Sequence, residues 1–425
     1  MIQRTIVRFA RIKLLGGRKV ENADQRLACL AVRLALSFQA SNWLQTAAER
    51  RQVERHMRIC LGASTGKHSM ITIAASEPLL AEAAVTVMGT DAAWRVAEAL
   101  LEHIDSSYIS LGDRGEVVAS AILMEARDAA VAKKPVRSIP EDPTERQNDG
   151  SSMGRVITVI EFLQSLLGDK TSGMTPSCSR EEDEETTIET AFKDCYVCFN
   201  HFLRVEDYEV LNQGYLWRIM CRCAAVICAN NQRGVDLVVP ILKGKHMDDK
   251  RITAILIQVK NDVSFKATIK PWLYDAMSPG GLGLFADNAS PLPVIRLVFA
   301  LASTESAVIM PKRGQRSPRT AAMQRYTSYD IWCAGATTAT FPSVRGSDAA
   351  YAKLLLLTRG MKYQYASHHK FSVADAKQAT VEIVRRREDV RRRMNPGASS
   401  NPAHYENYVR QPPSDGEGEA MDVDH

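Results

Sequence analysis

No run of about 18 or more apolar residues occurs in the 425-residue chain, so no membrane-spanning helix is expected. Cysteine is irregular: nine, at 29, 60, 178, 195, 198, 221, 223, 228 and 333, an odd number without a repeating spacing. That excludes a disulfide scaffold. With no apolar signal segment ahead of them, a reduced intracellular setting, nuclear or cytoplasmic, is expected. Charge of one sign is not in excess either. The net charge of +5 is too small to imply a nucleic-acid partner by itself. Acid is absent from the first 20 residues, where Arg4, Arg8, Arg11, Lys13, Arg18 and Lys19 all precede Glu21. Such a start has the charge of an organellar transit peptide. It is poor in serine, so a basic first segment (1–23) is the preferred reading and a mitochondrial location is less favoured.

Two familiar motifs each lack a part. LGASTGKHS (61–69) has three residues between Gly62 and Gly66 where a phosphate loop needs four. It reads as a surface turn. Cys195, Cys198 and His201 in CYVCFNH suggest zinc, but no second ligand pair follows at a usual spacing, so core cysteines are expected. No internal repeat is visible.

What is present fits an ordinary globular protein with a sizeable core: 45% hydrophobic and 24% charged residues. Residues 24–132 show apolar positions at three- and four-residue spacing and read as a helical region. Residues 133–190 read as a linker, polar and rich in Pro, Gly and Ser, with a short helix at 156–167 and an acidic solvated run at Glu181 to Glu185. From 191 to 360 the texture changes. A helix around 208–222 precedes the β-type runs AAVICAN, VDLVVPIL, ITAILIQVKN, VIRLVFALAS and YDIWCAG, and the helix AYAKLLLLTRG follows. Strands mixed with helices predict an α/β or α+β layer fold. Residues 361–425 hold six arginines between 385 and 393 and an acidic tail read as disordered. The arginines read either as a solvated helix or as a phosphate-binding or nuclear-import segment.

GVDLVVPILKGKHMDDKRITAILIQVKN (234–261) carries the chemistry. Two apolar runs flank a charged turn centred on Met247. Strands folding back symmetrically about Met247 place Asp236 opposite Gln258 and Gly234 opposite Lys260. Opposed side chains of an antiparallel pair share a face roughly 5 Å apart. One hairpin therefore gathers a carboxylate, an amide oxygen and an ammonium, and a one-residue slip would scatter them. A carboxylate and an amide oxygen suit a hard divalent cation such as Mg²⁺. A neighbouring lysine suits an attacking water or a charged phosphate.

The pattern resembles that of the PD-(D/E)xK nucleases: Asp at the head of one strand, then an acid or Gln, any residue and Lys at the end of the next. The resemblance covers about 208–303. It implies a restriction-endonuclease-like mixed sheet flanked by helices, here preceded by a mainly helical N-terminal region. By resemblance, Asp236, Gln258 and the carbonyl of Val259 would bind metal, and Lys260 would orient the water. Val235 stands where the family has proline, and Gln258 where it commonly has a second acid. The family's helix acid has two candidates, Glu209 and Glu116. Glu116 lies in GDRGEVVASAILMEARD, which is similar to the helix start of resolvase-like members; Asp113 and Glu116 are also spaced as a capping box. The whole chain is also similar to uncharacterised fungal proteins with such a segment, which implies no activity.

The resulting expectation is Mg²⁺-assisted hydrolysis of phosphodiester bonds in DNA or RNA. Lys266, Lys270, Lys312, Arg313, Arg316 and Arg319 would add positive charge near the site, and Trp272 and Tyr274 would either stack on bases or fill the core. The alternatives are a non-catalytic nucleic-acid or protein-interaction module with the same fold, and a purely structural hairpin with interactions through the helical half.

Overall fold

The computed structural model describes residues 2–17, 22–38, 40, 43–63, 70–90, 94–104, 114–133, 156–180, 183–229, 232–246, 248–285, 291–311 and 326–359. Its first part contains α1 (Ile2–Leu15), α2 (Ala23–Leu34), α3 (Trp43–Arg55), the hairpin β1 (Ile59–Ala63) and β2 (Met70–Ile73), then α4 (Pro78–Thr90), α5 (Val96–Ile104) and α6 (Arg114–Ala132). Next come β3 (Ile157–Thr158), α7 (Val159–Leu167), α8 (Ile188–Ala191), β4 (Cys195–Val197), β5 (His201–Arg204) and α9 (Gln213–Cys221). The chain continues through β6 (Ala224–Ile227), β7 (Leu237–Lys243), β8 (Ile252–Lys260), α10 (Pro271–Ala276), β9 (Val294–Ala300), β10 (Ala307–Ile309), β11 (Ser328–Ala334) and α11 (Asp348–Arg359). No helix among the described residues is long and apolar enough to cross a membrane.

The fold is mixed α/β. Nine strands form one sheet in the order β10-β11-β9-β8-β7-β4-β3, and β6 joins β7 beside β4 and carries β5. The hairpin β7–β8 is antiparallel, whereas β8, β9 and β11 run parallel to one another. All five β-type runs foreseen between 224 and 334 are strands.

Period-two alternation sorts the sheet's side chains into two apolar layers. Leu237, Val239, Ile255, Ile257, Ile295 and Leu297 face a layer with α2, α4, α5, α6, α7 and α11. Val238, Ala254, Leu256, Val294 and Val298 face a second layer with α9 and α10. Burial on both faces explains why these strands read as nearly unbroken apolar runs. The first layer runs from Leu14 to Leu355, so helices on both sides of 133–154 share one core with the sheet. The described residues all belong to one compact unit.

The structure differs from expectation in three places. Within 24–132, read as helical throughout, α3 ends at Arg55 and a β-hairpin follows. The hairpin is held from inside: buried Arg58 donates to Thr72 Oγ1 at 2.6 Å and to Leu36 O at 3.1 Å. The polar run after α7 is anchored on β11. Ser177 N–H donates to Ser328 O at 2.9 Å, Tyr329 Oη to Thr186 O at 2.7 Å, and Thr327 Oγ1 to Asp183 Oδ2. Asp183 is therefore a structural acid and not part of a free solvated loop. Lastly, 195–204 contributes two strands, β4 and β5, not foreseen from its mixed composition.

Polar groups in the core are closely matched. Arg33, fully buried on α2, grips Asp128 of α6 through two bonds of 2.7 and 2.9 Å and donates to Asn200 O at 3.2 Å. In the second layer, Arg296 of β9 lies directly across from Asp330 of β11. Both side chains are 0% exposed and meet through two bonds of 2.7 Å.

Candidate functional site

The register of the central hairpin runs from Leu237↔Ile257 to Leu242↔Ile252. Continued by one residue, it sets Asp236 against Gln258, as symmetric folding about Met247 predicts. Met247 itself lies outside the described residues. The backbone turns at Asp236: its N–H donates to Ile257 O at 2.9 Å, while its carbonyl accepts from Cys228 N–H at 2.8 Å. Gly234 prepares this turn with φ +85°, in the left-handed region, and a Cβ there would fall 2.0 Å from Ala276 O of α10. Only glycine fits that conformation and that approach. The "Asp after Gly" of the sequence is thus the seating of a strand head against a helix end.

Asp236 reaches across to β8, and its Oδ2 accepts the Val259 N–H at 2.6 Å. In an extended strand a residue's N–H and C=O point to the same side, so the Val259 carbonyl faces the Asp236 side of β8. Gln258 and Lys260 share the face of Ala254 and Leu256, towards α9 and α10. Gln258 is only 7% exposed, and its Oε1 is buried without a hydrogen-bond partner among the described residues. An orphan acceptor of this kind costs free energy unless something occupies it. Burial pushes the Asp236 carboxyl above its ordinary range, while the Val259 N–H and the Lys260 charge pull the other way.

Glu116 enters from the opposite layer, in the first turn of α6. Its neighbour Gly115 lies against the end of β8: a Cβ there would touch Asn261 Cβ at 3.4 Å and Val259 Cγ1 at 3.7 Å. Glu116 pairs with Arg204 of β5 at 3.7 Å. Burial, then the charges of Asp236 and Glu116, push the Cys228 thiol up, with Arg204 opposing. The groups that bear on Asp236 itself are Val259 and Lys260. Asp113, the other half of the capping box, lies outside the described residues. Glu209 is exposed and lines, with Asn212, Tyr215 and Arg218, a surface cleft that contains none of Asp236, Gln258 or Lys260. Arg204 was not foreseen, because its place beside Glu116 follows from the pairing of β5 with β6, which leaves no local mark in the sequence.

Among the described residues no three His, Cys, Asp or Glu side chains converge as a metal cluster. The candidate oxygen set therefore depends on Asp236, Gln258 Oε1 and the Val259 carbonyl. His201 Nε2 lies 3.0 Å from Ser76 Oγ and Nδ1 2.7 Å from Asn200 Oδ1, so both ring nitrogens are engaged within the fold. Trp272 and Tyr274, equivalent in the sequence, separate: Trp272 is 58% exposed, whereas Tyr274 is in the core. Lys270 Nζ sits 3.9 Å over the Phe265 ring. Lys312, Arg313, Arg316, Arg319 and the arginines of 385–393 lie outside the described residues.

The raised Asp236 carboxyl has a testable consequence. The native state holds this proton more tightly than the unfolded chain, so ionisation costs stability as pH rises through the native value. Asp236→Asn keeps an acceptor for the Val259 N–H and removes the charge. It is expected to raise stability at neutral pH by on the order of 1 kcal/mol, as substitutions at strained sites do. The gain should vanish below the ordinary carboxylate range. Denaturant titrations at pH 7 and pH 3 check it; a loss of stability at neutral pH contradicts it.

No curated protein and no solved structure matches the chain. A family model described as a domain of unknown function, DUF8736, matches residues 18–271. The match takes in Glu116, Asp236, Gln258 and Lys260 and covers more than half of the chain, so the protein belongs to the DUF8736 family.

Proposed function

We propose that this protein is a nuclease-like phosphodiesterase of the PD-(D/E)xK type, acting on DNA or RNA with Mg²⁺ inside the cell. The observation that carries this reading is the seating of the Asp236 carboxylate on the Val259 N–H, in a register that sets Asp236 against Gln258, whose buried Oε1 is orphaned, and with the Lys260 charge bearing on it. The order α9, β6, hairpin β7–β8, α10, β9 supports a restriction-endonuclease-like core, since it repeats the helix–strand–hairpin–helix–strand sequence of that fold.

The residues fit a hard cation. Asp236, Gln258 Oε1 and the Val259 carbonyl would hold it, with Glu116 the candidate for a further acid. Mg²⁺ bound there would supply Lewis-acid polarisation of a phosphoryl oxygen and a more acidic water. The protein's own groups do the rest. Lys260, at the open end of β8, orients the water and offsets charge on the phosphate. Trp272 offers a ring for a base. Asp236 must be ionised to serve as a ligand, so its burial sets an acid limit on activity above that of an ordinary carboxylate.

A second reading is a non-catalytic binding module. It is favoured by the neutral Gln258 and by the Arg204 partner that already engages Glu116. Incubating the full chain with supercoiled plasmid, linear duplex, single-stranded DNA and RNA, with Mg²⁺ or with EDTA, separates the two. The first expects cleavage that EDTA stops and excess Mg²⁺ restores. Salt-dependent binding without cleavage supports the second. Neither cleavage nor binding leaves the hairpin a structural role.

A further inference from the structure

Strands β5 and β6 are parallel, with His201 opposite Ala224. Each is preceded by a cysteine, Cys198 before β5 and Cys223 before β6. The Asn200 N–H donates to the Cys223 carbonyl at 2.8 Å, which holds the two strand heads together. The Cys198 thiol donates to Cys223 Sγ at 3.2 Å, and both side chains are half-buried, not sealed in the core. Cys223 also has φ +50°, a left-handed conformation unusual for a non-glycine residue.

We propose that Cys198 and Cys223 form a peroxide-responsive dithiol that closes to a disulfide across the heads of β5 and β6. The sulfurs need to approach by only roughly 1 Å to reach bonding distance. The bond from Cys198 holds the Cys223 thiol below its ordinary range, against burial, with Arg127 of α6 assisting and Glu82 of α4 opposing. The Cys198 thiol is raised, by that same bond first and then by burial. One sulfur is thus primed as the thiolate nucleophile and the other retains the proton, the division of labour that thiol oxidation requires. Cys223 thiolate attacks one oxygen of hydrogen peroxide, the O–O bond breaks, and the hydroxide released takes a proton to leave as water. Cys223 is then a sulfenic acid. Cys198 loses its proton and attacks the Cys223 sulfur; the S–O bond breaks and a second water leaves. Two thiols and one peroxide become one disulfide and two waters. The inference does not rest on the nuclease reading.

The test uses the reduced full chain, treated with one equivalent of hydrogen peroxide, alkylated with N-ethylmaleimide and digested with trypsin. The expected product joins the peptide 194–204 to the peptide 223–233, about 2 Da lighter than their sum as the disulfide requires, with fragment ions placing the link on Cys198 and Cys223. Dithiothreitol reverses it. A link through the exposed Cys221, through Cys195 or through Cys228 overturns the proposal, as does full alkylation of both thiols after oxidation. A second measurement follows iodoacetamide alkylation of Cys223 against pH. Its midpoint is expected below that of an ordinary thiol and to rise in Cys198→Ala; no rise means no shared proton, and the proposal fails.

Discussion

Replacing Asp330 with alanine is expected to cost about 3–5 kcal/mol, the usual loss when one partner of a buried ion pair is removed. Arg296 and Asp330 are both 0% exposed. Every Arg296 donor is engaged: Nε and one Nη2 hydrogen by Asp330, the other Nη2 hydrogen by Ser328 Oγ at 3.0 Å, and Nη1 by Tyr274 O at 2.8 Å and Tyr326 Oη at 3.0 Å. Burial works against the guanidinium charge, but Asp330, with Tyr326 and Cys178, more than offsets it, and the Arg296 guanidinium is held above its ordinary range. Without Asp330 a cation is left in the apolar layer with two donors unmet. The folded-to-unfolded ratio should fall by roughly 150-fold to 5,000-fold, read as a lowered urea midpoint or as insoluble expression. The double change Arg296→Met with Asp330→Leu should recover most of the loss, because well-packed apolar replacements of buried pairs are often neutral. If Asp330→Ala costs less than about 1 kcal/mol, comparable to an ordinary neutral bond, the pair is not the staple described here.

Lys260→Ala is expected to lower the Mg²⁺-dependent cleavage rate by about 10²- to 10⁴-fold, the range for removing a positioned proton-transfer or charge-stabilising group. Stability should move by less than about 0.5 kcal/mol, because Lys260 ends its strand and is partly exposed. Substrate binding at low salt should persist, so the loss appears in kcat. Removing the ammonium also removes an attraction that offsets the burial of Asp236. Any residual activity should therefore need a higher pH. A variant that cuts at the normal rate would remove Lys260 from the chemistry, whatever Mg²⁺ does. Rate and denaturation curves measured on one preparation distinguish a catalytic loss from misfolding.

The hairpin was legible because three local signals agree. The apolar runs are long enough to be strands, the turn between them is charged, and the period of two fixes which residues share a face. The register then places Asp236 beside Gln258 from sequence alone. Less visible was the means of holding it. Gly234 is required by the end of α10, some 40 residues further on, and the Val259 N–H is taken by a side chain where a ladder bond would be expected. Glu116 could be nominated from its glycine–glutamate context, but Arg204 could not, because that contact depends on the parallel pairing of β5 with β6. The run after α7 was misread for a related reason. Composition reports affinity for water, yet Asp183 finds its partner in Thr327, just ahead of β11, and Thr186 in Tyr329 of β11. Likewise, β1 and β2 lie in a stretch of helical texture, and what favours the strands there is the buried Arg58, which needs Thr72 opposite.

The layer that joins α2 and α6 to β9 and β11 also bears on synthesis. The helices up to Ala132 leave the ribosome with their apolar faces uncovered. The last strands of their layer, at 294–300 and 328–334, follow roughly 160 to 200 residues later, which at 5–20 residues per second is on the order of 10 to 40 seconds. During that interval the nascent chain carries sticky, unmatched surface. Slower translation or shortage of helper proteins that shield such surfaces is therefore expected to lower the soluble yield in a living cell.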